Sequence, residues 1–302
     1  MPQRPFVARL GWTLRDYAKR VWDNSGEDNI FFLAGGIAFN LLLAAVPFVL
    51  LLVAGLGYLL NQSSGDAIHV VSAILLRLLP PGVTPGEGTL EGLLKGIVES
   101  RGPVGLYSAL LFVWFSTRLF GSLRSVLAEV FDIETDRGII AGKLFDVKVT
   151  VLATVLLVAY TVLNTYIEFA SSRGFALLGG LGLRRDVMGW LEYSSARALA
   201  FLFIVLLFYA LYKVLPNRRI RWRTALLAAL FAGTLFELAR SLFTAYVARA
   251  NPGSVYTGAL AVFVVFVVWV YYAAMLFILG GEVAQVYELR RVRRLQREVF
   301  ED

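Results

Sequence analysis

Charged side chains inside long apolar stretches are the residues of this sequence with the clearest chemical potential. A charge at membrane depth costs roughly 2.5–3.5 kcal/mol and is seldom kept without a partner. Glu237 and Arg240 are three residues apart on one helix face, so we expect them to pair. Arg118 lies in the middle of its stretch and needs a carboxylate, for which Glu237 and Glu168 are the candidates. Such groups could bind protons or the head group of a cargo.

Polar residues fall on one face of each predicted helix in four of the apolar stretches, because an α-helix turns about 100° per residue. We predict that these faces meet and line a polar, hydrated cavity that binds a substrate. The residues that we expect to line it are Asn40, Arg118, Asp146, Asn164, Glu168, Glu237 and Arg240. The alternative is a dry bundle, in which Ser, Thr and Asn side chains hydrogen-bond across helices.

The elements that position these residues are six apolar stretches, in a chain that is 58% hydrophobic and 17% charged. About 20 apolar residues in a helix match the ~30 Å hydrocarbon core, and lipid leaves the helix as the only reasonable form. The predicted fold class is therefore all-α, a polytopic membrane protein with six transmembrane helices. Their ranges are 33–60, 104–127, 144–168, 197–215, 224–248 and 256–281. The fourth and sixth are apolar over most of their length, so we expect them on the outside of the bundle.

Lys and Arg residues concentrate in the N-terminal segment, two alternate connections and the C-terminal tail. The positive-inside rule then places both termini in the cytoplasm, which agrees with an even number of spans. We divide the chain into an amphipathic N-terminal helix (1–29), a transmembrane domain (30–287) with an outer amphipathic segment (61–103), and a basic tail (288–302). The net charge of +7 indicates attraction to anionic lipids. We expect no nucleic-acid partner, and a homo-oligomer stays open.

The residues that most enzyme classes require are scarce in this sequence. Cysteine is absent, and His69 is the single histidine, so thiol chemistry is excluded and a two-metal site cannot be assembled from histidines. Neither a phosphate-binding G-x-x-x-x-G-K-[ST] loop nor a G-x-S-x-G turn occurs. We therefore expect a protein that is not an enzyme, with no catalytic residue, no cofactor and no bound metal.

Five sequence motifs carry a family resemblance. They are Leu33 to Asn40 followed by Pro47, Leu215-Pro216-Asn217 with Arg221-Trp222-Arg223, Tyr256-Thr257-Gly258, Trp269-Val270-Tyr271, and Leu279-Gly280-Gly281-Glu282. In this order they resemble the YihY/BrkB family, with departures at Gly35-Gly36, Asn40, Thr257 and Gly281. The positions that match the family's motifs are Pro47, Pro216, Asn217, Trp222, Tyr256, Gly258, Trp269, Gly280 and Glu282.

The resemblance implies a six-helix protein of the bacterial inner membrane, linked in some members to serum resistance and envelope integrity. Some relatives are associated with movement of lipids or other solutes. The family was once labelled ribonuclease BN, a label that the single histidine argues against. Our first hypothesis is a transporter or flippase-like protein for a lipid, amphiphile or small solute. The alternative is an envelope scaffold without transport, which binds lipids or partner proteins.

Overall fold

A computed structural model describes residues 6–60, 101–134, 138, 140–155, 185–250 and 259–301. Within these ranges the chain forms helices and short connections, and no strand. The helices are α1 (Phe6–Glu27), α2 (Ile30–Leu60), α3 (Arg101–Val130), α4 (140–155), α5 (Arg185–Val214), α6 (Trp222–Ala250) and α7 (Ala259–Glu301). The all-helical class predicted from the sequence is confirmed for this part of the chain.

Five of the described helices are long and apolar enough to cross a membrane. The segments that meet this criterion are Ile30–Gly55, Gly102–Val130, Arg197–Val214, Trp222–Arg249 and Phe263–Arg293. They correspond to five of the six predicted spans, so a multi-pass membrane protein is confirmed. The remaining predicted span, 144–168, begins in α4, and its second half lies outside the described residues. The count of six spans and the cytoplasmic location of both termini stay predictions.

The last helix, α7, is the central element of the described bundle. It packs against α2 on one side and α6 on the other, while α2 also pairs with α3 and α5 with α6. Its buried positions include Ala274, Phe277 and Ile278, followed by an unbroken buried run from Gly280 to Val286. The prediction that the sixth span lies outside the bundle is therefore wrong. Small residues on α7 allow close helix approach, which an apolar composition alone does not reveal.

Gly280 marks the closest approach between α7 and its neighbours. A Cβ atom at this position would overlap the hydroxyl of Tyr212 and lie 2.8 Å from the Cβ of Ala232. Tyr212 is fully buried, donates a hydrogen bond of 2.5 Å to the carbonyl of Phe277, and stacks on the Phe277 ring at 5.0 Å. Glycine at position 280 thus leaves the space into which the phenol of α5 fits.

Helix α1 is the predicted amphipathic N-terminal helix, and it lies against the C-terminal half of α7. Tyr17 donates a hydrogen bond of 2.5 Å to the carbonyl of Val283, and the Arg290 guanidinium lies 4.8 Å above the Tyr17 ring. The opposite side of α1 carries Trp22, which is 79% exposed. Tryptophan is favoured at the membrane–water interface, so this arrangement agrees with a helix that lies along the membrane surface.

Several predicted features have a defined place in the fold. Pro47 lies inside α2, which is helical on both sides of it, and the kink expected there stays a prediction. Pro216 and Asn217 form the connection between α5 and α6, and Trp222 is the first residue of α6. The predicted basic tail continues α7 as helix to Glu301. The outer segment before residue 101, together with His69, Tyr256 and Gly258, lies outside the described residues.

Candidate functional site

Glu237 of α6 is shared between two arginines, one from the neighbouring helix α5 and one from α6 itself. Its Oε1 lies 3.4 Å from the guanidinium of Arg197 on α5, and its Oε2 lies 3.5 Å from that of Arg240. The predicted Glu237–Arg240 pair is thus confirmed, whereas the sequence reading missed Arg197. That residue stands at the edge of an apolar stretch, where an arginine usually marks the end of a span.

The two arginines of this cluster are far more accessible than the carboxylate between them. The Arg197 and Arg240 side chains are 52% and 46% exposed, whereas that of Glu237 is 20% exposed. A guanidinium carries five N–H donors, and Arg240 directs one nitrogen to Glu237. Glu237 thus holds Arg240 in place while most of the donors on Arg240 stay available to a ligand.

The depth of the cluster follows from helical rise. Arg240 lies about 27 Å along α6 from Trp222, at 1.5 Å per residue. The hydrocarbon core is ~30 Å thick, so a core that begins near Trp222 ends close to Arg240. The cluster therefore lies near the membrane boundary opposite to the one at which α1 packs.

A row of hydroxyl groups on α6 extends from the cluster in both directions, with Thr234 toward the middle of the span and Ser241 and Thr244 toward its C-terminal end. Thr234, Ser241 and Thr244 are exposed, and each donates a hydrogen bond of 2.7–2.9 Å to the carbonyl four residues earlier. Their side chains are accessible rather than packed against another helix. These three hydroxyl groups therefore bond to the backbone of α6 itself, and the choice between a hydrated cavity and a dry bundle stays a prediction.

Arg118 of α3 is exposed at mid-depth, about 18 Å along the helix from Val130. Thr234 lies at about the same depth on α6, measured from Trp222. No carboxylate of the described residues forms an ion pair with Arg118. Glu237, one of its two predicted partners, pairs with Arg197 and Arg240 instead, and Glu168 lies outside the described residues.

Two of the predicted cavity residues serve the helix scaffold. Asp146 is buried and accepts a 2.7 Å ion-paired hydrogen bond from Arg124, which joins α4 to α3. Asn40 donates a hydrogen bond of 2.9 Å to the carbonyl of Gly36 in its own helix. We therefore assign neither residue to the site. Asn164 lies outside the described residues.

The motif residues Trp269, Gly280 and Glu282 all lie where α7 packs against other helices of the bundle. The Trp269 ring contacts Phe236 at 5.3 Å and Phe243 at 4.9 Å between ring centroids, which joins α7 to α6. Glu282 is fully buried. In the part of the chain that the structure describes, no group of three His, Cys, Asp or Glu residues could hold a metal ion.

Comparison with known proteins identifies the family. The family described as "Virulence factor BrkB" matches residues 21–299. A "UPF0761 membrane protein" of Chlorobium phaeobacteroides is 26% identical over 86% of this chain, and one of Janthinobacterium sp. is 24% identical over 96%. The chain spans 55% and 64% of these two relatives.

A third relative has nearly the same length. The "UPF0761 membrane protein" of Aeromonas salmonicida is 26% identical, and the match covers 93% of this chain and 94% of the relative. No solved structure matches the chain. Because the family match extends over almost the whole chain, the protein belongs to the BrkB family of membrane proteins.

Proposed function

We propose that this protein is a transporter of the flippase type in the bacterial inner membrane, which moves an amphiphile with an anionic head group between the two leaflets. The observation that carries the proposal is Arg240, a cation near one membrane boundary whose side chain is 46% exposed. Exposure to lipid tails would be costly for a guanidinium, so a polar ligand or water has to cover it.

The chemistry of Arg240 favours a phosphate or carboxylate as the ligand. A guanidinium presents its N–H donors in a planar fork, which fits the oxygens of either group through two parallel hydrogen bonds. Glu237 orients Arg240 from one side and leaves its other side open. Arg118 and Arg240 are both exposed, so they could hold an anionic head group at two depths.

The polar face of α6 supports movement of that head group along the helix. Thr244, Ser241 and Thr234 lie along the face that carries Glu237, and all three are exposed. Their hydroxyl hydrogens bind the α6 backbone, so the oxygens keep lone pairs for water or a head group. An amphiphile could slide its head group along this row while its apolar tails stay in lipid.

A reconstitution experiment tests this proposal. Vesicles that contain the protein and a fluorescent phosphatidylglycerol are treated with dithionite, which bleaches only the outer leaflet, so the later signal reports exchange between leaflets. We expect wild-type protein to accelerate the exchange and Arg240→Gln to slow it about tenfold or more, because a charge-assisted hydrogen bond contributes roughly 1.5–3 kcal/mol. Arg249→Gln is the matched control, since it removes an exposed arginine from the end of the same helix.

The outcomes separate transport from the alternative, an envelope scaffold that binds lipid or partner proteins. The exposed aromatic residues Trp22 and Phe32, at the junction of α1 and α2, favour this second candidate as a lipid or protein contact. Native mass spectrometry then measures whether phosphatidylglycerol stays bound. Exchange no faster than in empty vesicles, with lipid still bound to the wild type, would refute transport and support the scaffold. Equal exchange by wild type and Arg240→Gln would remove the cluster from the mechanism.

A further inference from the structure

Glu282 lies at the end of the helix bundle that carries α1. Five residues before it, the carbonyl of Phe277 accepts a hydrogen bond from Tyr212 near the end of α5. Six residues after it, Glu288 accepts a hydrogen bond of 2.6 Å from Thr224 at the start of α6. Glu282 is therefore level with the connection between α5 and α6. Asp28, between α1 and α2, and Asp132, directly after α3, lie at the same end of the bundle.

The Glu282 carboxyl group is completely buried, and neither of its oxygens has a hydrogen-bond partner. Asp28, Asp132 and Asn24 are the side chains that interact with it. Gln285, one turn further along α7, accepts a hydrogen bond of 3.0 Å from Asn24 and donates one of 2.8 Å to Asp132. Acidic side chains from three parts of the chain thus meet here: Glu282 is buried, Asp28 is half-buried and Asp132 is exposed.

No cation of the described residues offsets these acids. From α1 and the residue that follows it, Asn24 and Asp28 face Glu282; Asp132 faces it from the end of α3. Arg290, the nearest arginine along α7 on the α1 side, lies over the Tyr17 ring. The hydroxyl groups of Tyr17 and Tyr212 donate their hydrogen bonds to the carbonyls of Val283 and Phe277, respectively, and not to Glu282.

An ionised Glu282 would bury a negative charge beside two further carboxyl groups, with no cation of the described residues to offset it. Ionised carboxylates only accept hydrogen bonds, so two of them in contact repel each other and neither supplies a donor to the other. A proton removes one charge and supplies the missing donor, as in other pairs of carboxyl groups that share one proton.

We propose that Glu282 is a proton-binding site, where the bound proton is shared with Asp28 and fastens the α1–α2 junction to α7. Binding the proton turns the Glu282 carboxylate into a neutral acid whose O–H donates to the carboxylate of Asp28. Release of the proton leaves adjacent like charges and loosens α1 and the end of α3 from α7. This inference does not depend on the arginine cluster and would stand if the protein moved no lipid.

Infrared spectroscopy of the protein in lipid nanodiscs tests the proposal at neutral pH. A protonated carboxylic acid has a carbonyl stretch well separated from that of a carboxylate. We expect this band in the wild type and its loss in Glu282→Gln, which is neutral and nearly isosteric. Glu288→Gln is the control, because Glu288 lies on the same helix but accepts hydrogen bonds from Thr224 and Arg291. The control should keep the band.

Asp28→Asn provides a second variant that retains Glu282. It removes the adjacent charge, so the band should disappear at a lower pH than in the wild type. A band that survives Glu282→Gln, or one that titrates at the same pH in Asp28→Asn, would overturn the proposal. Loss of the wild-type band on addition of Ca²⁺ or Mg²⁺ would overturn it too, because the acids would then form a metal site.

Discussion

Arg124 and Asp146 form a buried ion pair of 2.7 Å that joins α3 to α4. The guanidinium also donates a hydrogen bond of 3.3 Å to the carbonyl of Gly142, at the first turn of α4. The side chain of Asp146 is only 4% exposed, so removal of its partner would leave a charge in the protein interior. This pair fixes the start of the third predicted span against the second.

Substitution of either member of this pair should destabilise the protein strongly. We expect Arg124→Gln to lower the free energy of unfolding by about 3–5 kcal/mol, because the Asp146 carboxylate then stays buried without a cation. Thermal unfolding in detergent measures the loss. The double variant Arg124→Gln with Asp146→Asn should recover much of it, since no buried charge remains. A loss in the double variant equal to the sum of the losses in Arg124→Gln and Asp146→Asn would show that the two side chains are not coupled.

Gly280→Ala tests the close approach of α5 and α6 to α7. The added Cβ would overlap the Tyr212 hydroxyl and crowd Ala232, so we expect a loss of about 1–3 kcal/mol in stability. Gly35→Ala is the matched control, because it also adds a methyl group within a helix, and a Cβ there meets no atom within 4 Å. That control should be neutral or slightly stabilising. Equal behaviour of the two variants would contradict the packing at Gly280.

Tyr17→Phe tests how α1 is held against α7. Loss of the hydrogen bond to Val283 should cost about 1 kcal/mol, which corresponds to roughly fivefold faster amide exchange in α1. Burial raises the pKa of Tyr17 from 10.0 to about 12, although the Arg290 guanidinium opposes this shift. The neutral phenol is therefore the bound form, and its contribution should persist up to about pH 10 and be lost as pH rises through about 12. Unchanged amide exchange in Tyr17→Phe would show that the other contacts of α1 are enough to hold it against α7.

The sequence allowed the membrane spans to be predicted, but not the contacts between the helices. Apolar length identifies a membrane span, because lipid imposes the same requirement on every such helix. It does not reveal which helix is central, since lipid and protein neighbours are equally apolar; hence the error for α7. The Glu237–Arg240 pair follows from a separation of three residues. Arg197 and Arg124 meet their carboxylates across helices, and sequence spacing carries no information about such contacts.

Glu237→Gln separates binding from transport at the arginine cluster. The amide keeps the size of the side chain but removes the charge that holds Arg197 and Arg240 in place. We expect anionic lipid to stay bound at least as tightly, because the site becomes more positive, and exchange between leaflets to fall about tenfold or more. Exchange should be slower because the lipid leaves the site more slowly, since arginines without the Glu237 charge hold the anionic head group more tightly. Native mass spectrometry reports the binding, the dithionite assay reports the exchange, and Arg249→Gln serves again as the control. Full exchange activity in Glu237→Gln, with the protein folded, would exclude Glu237 from the transport mechanism.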